Sequence, residues 1–197
     1  AQIALVERHR ETGQVTNAFV SGFGYKGRMA IGSTVADFKL SDANGKSHTL
    51  AELKGSKGTV IVFMSTQCPM VKAYNDRIIQ LATDYQAKGV NVVGINANST
   101  ESTEDMRAHG NEIHYNFTIL KDKNNKIADA LAGERTPETI LLDANNKIIY
   151  RGRIDNSARP EMVQSSELRE AIEDLLAGRP VAKPETTAVG CSIKRPS

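Results

Sequence analysis

The feature that most constrains the fold is an apolar, β-branched run at residues 59–64, which leads within four residues to Cys68 and Pro69. Such a run predicts a buried central strand, and residues 70–88 predict the helix that follows it. Proline is favoured at the first helical position because the N–H that it lacks would have no partner there. Cys68 is therefore predicted at the N-cap, with free backbone N–H groups directed at its sulfur.

This position favours a thiolate at Cys68. The positive end of the helix, with Lys72 one turn further along, would lower the pKa of the thiol from its usual value of about 8.5. The sequence therefore predicts a redox-reactive cysteine. The alternative that the local pattern leaves open is a buried, inert cysteine that caps the helix.

Composition limits the class of protein. The 197 residues are 40% hydrophobic and 24% charged, which indicates one main domain with extensions. The net charge is +2 and no basic block carries aromatic residues, so we expect no nucleic acid partner. No apolar run approaches the roughly 18 residues of a membrane span, so the chain is not expected to span a membrane.

The start of the sequence bears on localisation. It begins at Ala1 without an initiator methionine. We expect an exported protein, periplasmic or otherwise extracytoplasmic, from which a signal peptide has been removed. A trimmed sequence fits equally well, and a cytoplasmic location stays open.

The chain divides into three predicted regions. Residues 1–30 form an irregular N-terminal arm whose glycine-rich stretch lacks the spacing of a phosphate-binding loop. Residues 31–178 form the core domain, and residues 179–197 form a proline-containing C-terminal tail that carries Cys191 and that we expect to be flexible enough to reach Cys68. Within the core, the pattern predicts strands at 35–40, 46–50, 59–64, 90–96, 139–143 and 147–151, and helices at 70–88, 103–109 and 166–177. The predicted fold class is α/β, a central mixed β-sheet flanked by helices on both faces.

A second motif is Thr136-Pro137, which lies immediately before a predicted strand. Proline cannot donate to a sheet ladder, so its presence there indicates a special backbone. A cis bond would turn the chain sharply and present the Thr136 backbone to whatever docks against Cys68. A trans proline at a sheet edge is the alternative.

These residues together resemble the thioredoxin-like superfamily, and within it the peroxiredoxin-like (redoxin, AhpC/TSA-like) branch of thiol-disulfide oxidoreductase-like proteins. The resemblance covers about residues 31–194 and is carried by six separated stretches: 36–40, 67–72, 89–90, 136–137, 150–155 and 190–194. It implies a thioredoxin-like fold, with Cys68 at the redox-active position and Pro137 as the cis-proline that faces it. It also implies Ser65, Thr66, Pro69, Thr136 and Pro137 as the substrate-binding surface.

The departures from the family pattern are at the dithiol and at the peroxide motif. Three residues after Cys68 stands Val71, and three residues before it stands Ser65, so no second cysteine is local. A peroxiredoxin would carry proline and threonine where this chain has Ile61 and Ser65. Ser65 supplies a hydroxyl in place of the threonine, and Arg135 is the candidate for the family's arginine. Both a thiol-disulfide oxidoreductase and a peroxiredoxin-like peroxidase therefore stay open.

Cys191 is the candidate resolving cysteine. In that mechanism the Cys68 thiolate attacks a peroxide or a protein disulfide, Cys191 attacks the product, and a dithiol reductant resets the pair. Two alternatives remain at this stage. The same bond could permanently staple the tail, which in the chain-entropy account adds about 5 kcal/mol, or Cys191 could be idle.

Cofactor sites are not predicted. The histidines at 9, 48, 109 and 114 lack metal-ligand spacing, and only one cysteine lies in the core, so we expect no metal and no cofactor. The rival function from another class is a non-catalytic binding or assembly module that keeps the fold and uses its arm and tail to hold a partner protein in a complex.

Overall fold

The computed structural model describes residues 29–197, so most of the predicted arm lies outside the described residues. The strands are β1 Lys39–Asp42, β2 Ser47–Thr49, β3 Gly58–Phe63, β4 Val90–Asn96, β5 Thr118–Lys121, β6 Arg135–Thr136, β7 Glu138–Asp143, β8 Ile148–Gly152 and β9 Cys191–Ser192. The α-helices are α1 Leu50–Leu53, α2 Pro69–Gln86, α3 Thr103–Ile113, α4 Lys126–Ala130 and α5 Glu167–Leu176, and a short 3-10 turn covers Pro160–Met162.

Seven strands form one mixed sheet in the order β2-β1-β5-β4-β3-β7-β8. Strand β3 lies inside it, parallel to β4 and antiparallel to β7, and all six of its residues are buried. The predicted mixed α/β fold is therefore confirmed. Strands β6 and β9 form a separate two-stranded sheet.

The side chains of β3 alternate between two apolar clusters, as the period of a strand requires. Val60 and Val62 belong to a cluster that α2 and α5 complete. Ile61 and Phe63 belong to the other, which includes Leu50 of α1 and Ala128 of α4. Helices thus cover both faces of the central strand, and this fixes the end of β3 from which the Cys68 loop emerges.

Most predicted elements are present, but short ones were missed. Helix α2 and strand β4 match their patterns, and β7, β8 and α5 match to within about a residue at most ends. The first strand begins at Lys39, later than its apolar pattern, and α3 extends to Ile113 beyond the predicted end. Elements α1, β5 and α4 were not predicted because four or five residues give too little periodicity.

The tail lies along the domain in a series of backbone pairings and reaches Cys68. Its first part pairs with Arg151, whose N–H donates to the Pro184 carbonyl and whose carbonyl accepts from Thr186 N–H, at 2.9 and 3.0 Å. Beyond Cys191, Ile193 is buried in the second cluster. The prolines allow this course because neighbouring residues supply the N–H donors that prolines lack.

Candidate active site

Cys68 occupies the predicted N-cap of α2, with Pro69 at the start of the helix. Its backbone is extended, with φ −80° and ψ 119°, and the residue is 5% exposed. The sulfur therefore lies where strand β3 has ended and the positive end of α2 begins. Lys72, the predicted second source of positive charge, is exposed on the first turn of the helix.

Cys68 and Cys191 form a disulfide, with their Cα atoms 6.1 Å apart. The backbone sets this distance, because β9 pairs antiparallel with β6 so that Cys191 lies opposite Thr136. The Ile193 N–H donates to the Glu134 carbonyl at 2.9 Å and extends the pairing by one residue. The structure thus brings together the two cysteines that the sequence singled out.

The peptide bond between Thr136 and Pro137 is cis, as the resemblance implied. The Thr136 carbonyl oxygen lies 3.3 Å from the Cys68 sulfur. Gly190 approaches this same carbonyl so closely that a Cβ on residue 190 would lie 2.0 Å from its oxygen. Glycine is therefore the residue that lets Cys191 reach Cys68 at this point.

A buried carboxylate, missed by the sequence analysis, organises the loop before Cys68. Glu101 is 4% exposed and accepts hydrogen bonds from the Ser65 hydroxyl at 2.5 Å and from the Thr66 N–H at 2.8 Å. It also accepts from the Thr66 hydroxyl and from the Asn96 amide. Glu101 lies in a polar stretch, 98–102, that has the composition of an exposed loop, so no sequence signal distinguished it.

The Ser65 hydroxyl is fully committed within this network. It donates to Glu101 and accepts the N–H groups of Gln67 at 3.2 Å and Cys68 at 3.1 Å. One hydroxyl has one donor and two acceptor lone pairs. Ser65 therefore holds the turn that leads into Cys68 and has no further hydrogen to offer a ligand in this arrangement.

Asn98 connects the Cys68 loop to the tail. Its amide nitrogen donates to the Met64 carbonyl at 3.3 Å, and its amide oxygen accepts the Lys194 N–H at 2.9 Å. The neighbouring Lys121 ammonium donates to the Asn98 and Glu101 carbonyls at 2.7 and 2.6 Å. Burial lowers the pKa of Lys121. Both sides of the disulfide are thus fixed to one polar layer at the ends of β3 and β4.

Arg135, the candidate peroxide-orienting arginine, faces the tail. It is exposed, and its guanidinium donates to the Gly190 carbonyl and the Ser192 hydroxyl, both at 3.3 Å. The fully buried arginine is Arg151, which lies 3.3 Å from the Glu138 carboxylate and donates to the Ala132 carbonyl. Arg151 therefore supports the packing of β8 against the loop before β6.

A cleft of about 250 Å³ lies beside the loop that precedes Cys68. Ser65 and Thr66 line one side, and its apolar wall includes Met64, Met106 and Phe117. Tyr115 also lines the cleft and donates from its hydroxyl to Asn75 at 2.7 Å. Burial raises the pKa of Tyr115, so this hydroxyl stays protonated at neutral pH. The cleft therefore adjoins the predicted site through Ser65 and Thr66.

Within residues 29–197, no three histidine, cysteine, aspartate or glutamate side chains are grouped so that they could hold a metal ion. Over the same residues, no helix combines the length and the apolar character needed to cross a bilayer.

The model of the AhpC/TSA family matches residues 31–151, which is more than half of the chain. The chain belongs to the AhpC/TSA family. The match includes Cys68 and the cis-proline, and it ends before the tail that carries Cys191.

Several relatives and solved structures are similar to this chain over most of its length. A crystal structure of the protein SMc02350 from Sinorhizobium meliloti 1021 superposes with a TM-score of 0.79 at 31% identity, covering 87% of this chain and 97% of that one. The thiol-disulfide oxidoreductase ResA of Geobacillus thermodenitrificans is 28% identical over 130 residues, which are 66% of this chain and 73% of ResA. Peroxidoxin BcpB from Mycobacterium tuberculosis has a TM-score of 0.56 at 22% identity over 76% of this chain and 96% of its own, and shows the fold alone. The thioredoxin-like fold is thereby confirmed.

One match is of another kind. Over 36 residues, or 18% of this chain, the sequence is 86% identical to adenine deaminase from Roseobacter denitrificans. This chain spans only 6% of the deaminase. A segment of that size is smaller than a domain, so the match carries no argument about activity.

Proposed function

We propose that this protein is a thiol-disulfide oxidoreductase whose redox centre is the Cys68–Cys191 pair. The observation that carries the proposal is the disulfide itself, formed between a cysteine at a helix N-terminus and a cysteine paired against the residue before a cis-proline. Membership of the AhpC/TSA family and similarity to ResA support thiol redox chemistry.

The reaction begins from the reduced form. The Cys68 thiolate attacks one sulfur of a substrate disulfide, a mixed disulfide forms, and the other substrate sulfur leaves as a thiolate. Cys191, as its thiolate, then attacks the Cys68 sulfur, so the second substrate sulfur leaves and the Cys68–Cys191 bond forms. The substrate has gained two electrons and the protein has lost two. A dithiol reductant returns them.

The surrounding residues shape the docking surface in this proposal. Thr136 presents its carbonyl 3.3 Å from the Cys68 sulfur, and the cis bond to Pro137 holds it there. Pro69 is exposed and Thr66 is half-buried beside Cys68, so both can contact a substrate. Ser65 acts indirectly, because its hydroxyl fixes the Cys68 backbone.

Disulfide exchange is favoured over peroxidase activity by the hydrogen bonds of Ser65. A hydroxyl that orients a peroxide must donate to it or accept from it. The Ser65 hydrogen is directed at Glu101, and its lone pairs receive two backbone N–H groups. A peroxidase reaction would require this turn to rearrange.

The second candidate is the binding or assembly module, in which the disulfide staples the tail. The pairings on both sides of Cys191 favour it, because they fix the tail against the domain and the disulfide adds a covalent bond to the same contact. The two candidates differ in the reactivity of the thiols, since a staple requires no reactive cysteine.

The proposed partners are a protein thiol or disulfide substrate and a dithiol reductant. We also propose an exported, periplasmic or extracytoplasmic location, since a disulfide persists in an oxidising compartment. Fractionation of the native host, with the disulfide state read by alkylation, checks this location. Recovery of the protein in the cytosolic fraction, with both cysteines reduced, would contradict this location.

Stopped-flow kinetics of the reduced protein test the function. Reaction with a model aromatic disulfide should be fast and should end, by intact mass, as the internal disulfide in wild type and as a mixed disulfide in Cys191→Ser. Reaction with hydrogen peroxide should be much slower. Slow reaction with both would contradict the oxidoreductase and favour the module.

A further inference from the structure

The two cysteines of the disulfide differ in burial. Cys68 is 5% exposed and belongs to the apolar cluster beneath α2. Cys191 is half-buried and lies on a two-residue strand whose next residue, Ser192, is exposed. The bond therefore joins a buried cysteine to a half-buried one, which packs against the edge of the same cluster.

Thiol-disulfide exchange is an in-line displacement, in which the thiolate approaches one sulfur from the side opposite the sulfur that leaves. Cys191 is half-buried, and Val189 and Ser192 close to it in the tail are exposed. Cys68 is buried, and the Thr136 carbonyl oxygen lies 3.3 Å from its sulfur, so an incoming thiolate would have to displace packed atoms to reach it. Access therefore selects Cys191 as the sulfur attacked.

The identity of the leaving sulfur points the same way. A thiolate leaves faster when its pKa is lower. Cys68 is at the N-cap of α2, where the helix dipole favours a negative sulfur, whereas Cys191 is on an irregular tail without a helix. Attack at Cys191 thus expels the better leaving group.

A cation lies beside Cys191. The Arg135 guanidinium donates to the Gly190 carbonyl and the Ser192 hydroxyl, which belong to the residues on either side of Cys191. Arg135 lies on strand β6 and is exposed. No carboxylate of the described residues is paired with it. Its positive charge therefore acts on a thiolate that approaches Cys191.

We propose that reducing thiols attack Cys191 and release Cys68 as the thiolate, and that Arg135 selects anionic thiols as reductants. This inference rests on the proposed function. An incoming thiolate bonds to the Cys191 sulfur while the Cys68–Cys191 bond breaks and its electron pair stays on Cys68. A second thiolate attacks the mixed disulfide, the reductant leaves as its own disulfide, and Cys191 becomes a thiol on taking up a proton. Two electrons pass from two thiols to the protein.

The site of attack is tested on the oxidised, full-length protein with 2-mercaptoethanesulfonate. Samples are quenched with acid, alkylated with N-ethylmaleimide and mapped by peptide mass spectrometry. The expected result is the sulfonate adduct on Cys191 and the maleimide on Cys68. The adduct on Cys68 would overturn the inference alone. No adduct on either cysteine, with a denatured sample reduced normally, would overturn the proposed function as well.

The role of Arg135 is tested with thiols of different charge. At low ionic strength, wild type should react about 3- to 10-fold faster with 2-mercaptoethanesulfonate than with cysteamine, after correction for thiolate fraction. In Arg135→Gln the ratio should fall towards one. The matched control is Arg159→Gln, which removes the same charge from an exposed loop outside the site. An unchanged ratio in Arg135→Gln, or an equal loss in the control, would overturn the selection by Arg135.

Discussion

The two cysteines of this protein belong to regions held in different ways. Cys68 ends a loop fixed by side chains, in which the buried Glu101 organises Ser65 and Thr66 at the end of a central strand. Cys191 belongs to a tail fixed by its backbone, through pairing with Thr136 and its neighbours. Cys68 is thus buried in the domain core, and Cys191 is half-buried where the tail packs against that core. The comparison explains how a chain without a local dithiol can still bring two cysteines into a disulfide.

The largest effect is expected from removing the cysteine on the core side. Cys68→Ser should lower the turnover of a disulfide substrate to the uncatalysed rate, because no helix-stabilised thiolate remains. Cys191→Ser should retain one rapid reaction per molecule and then stop at the mixed disulfide. Rapid kinetics with intact mass distinguishes the two. Full turnover in Cys68→Ser would contradict the assignment of the nucleophile.

The position of Cys191 is disturbed most directly by a substitution at Gly190. In Gly190→Ala the new Cβ would lie 2.0 Å from the Thr136 carbonyl oxygen, so β9 cannot keep its position. We expect closure of the disulfide from the mixed disulfide to slow by at least about tenfold, since closure depends on a preset geometry.

The matched control is Gly110→Ala in α3, where a Cβ meets nothing within 4 Å and where alanine is the better helix former. Its closure rate should equal that of wild type. Equal closure rates in both variants would show that the β6–β9 pairing does not position Cys191.

The loop that precedes Cys68 is destabilised more selectively by a substitution at Glu101. Glu101→Gln keeps the size of the side chain but removes the charge that accepts from Ser65, Thr66 and Asn96. We expect a loss of about 1–3 kcal/mol in the free energy of unfolding, and slower attack by Cys68 on a model disulfide. Urea unfolding and stopped-flow kinetics measure the two effects. The rate at which thiols attack Cys191 in the oxidised protein should change much less. If both rates fell equally, Glu101 would not act on the Cys68 loop alone, and the contrast between the Cys68 loop and the tail would be contradicted.

The smallest effect is expected from a substitution at Glu167, the first residue of α5. Burial alone would raise the pKa of this carboxyl, but hydrogen bonds from Arg153 and Ser165 outweigh it and lower the pKa to about 2. A depressed pKa contributes stability above the unfolded value near 4.5, and this contribution is lost as the pH falls towards 2. Glu167→Gln should cost about 1–2 kcal/mol at pH 7 and much less near pH 2, where the folded carboxyl is half protonated. Urea unfolding between pH 2 and pH 7 measures this cost. A loss of stability that does not change with pH would show that Glu167 acts through packing and not through its charge.

The sequence predicted the core side of the site better than the tail side. A long apolar strand followed by Cys68 and Pro69 has both periodicity and a helix-start signal, and the structure has both elements there. The course of the tail depends on backbone pairing with Arg151 and Thr136, distant residues whose side chains give no periodic signal. Glu101 was missed for a similar reason, because burial of a polar residue depends on tertiary packing.

The redox potential of the Cys68–Cys191 pair tests the central claim, that this disulfide is a redox centre and not a staple. The oxidised protein is equilibrated in dithiol buffers of defined potential, and the reduced fraction is read by alkylation and intact mass. Redox-active pairs of thioredoxin-fold proteins have potentials of about −120 to −270 mV, whereas structural disulfides have potentials below about −300 mV. We expect full reversibility with a midpoint above about −270 mV. A midpoint below about −300 mV would contradict the account and identify the disulfide as structural.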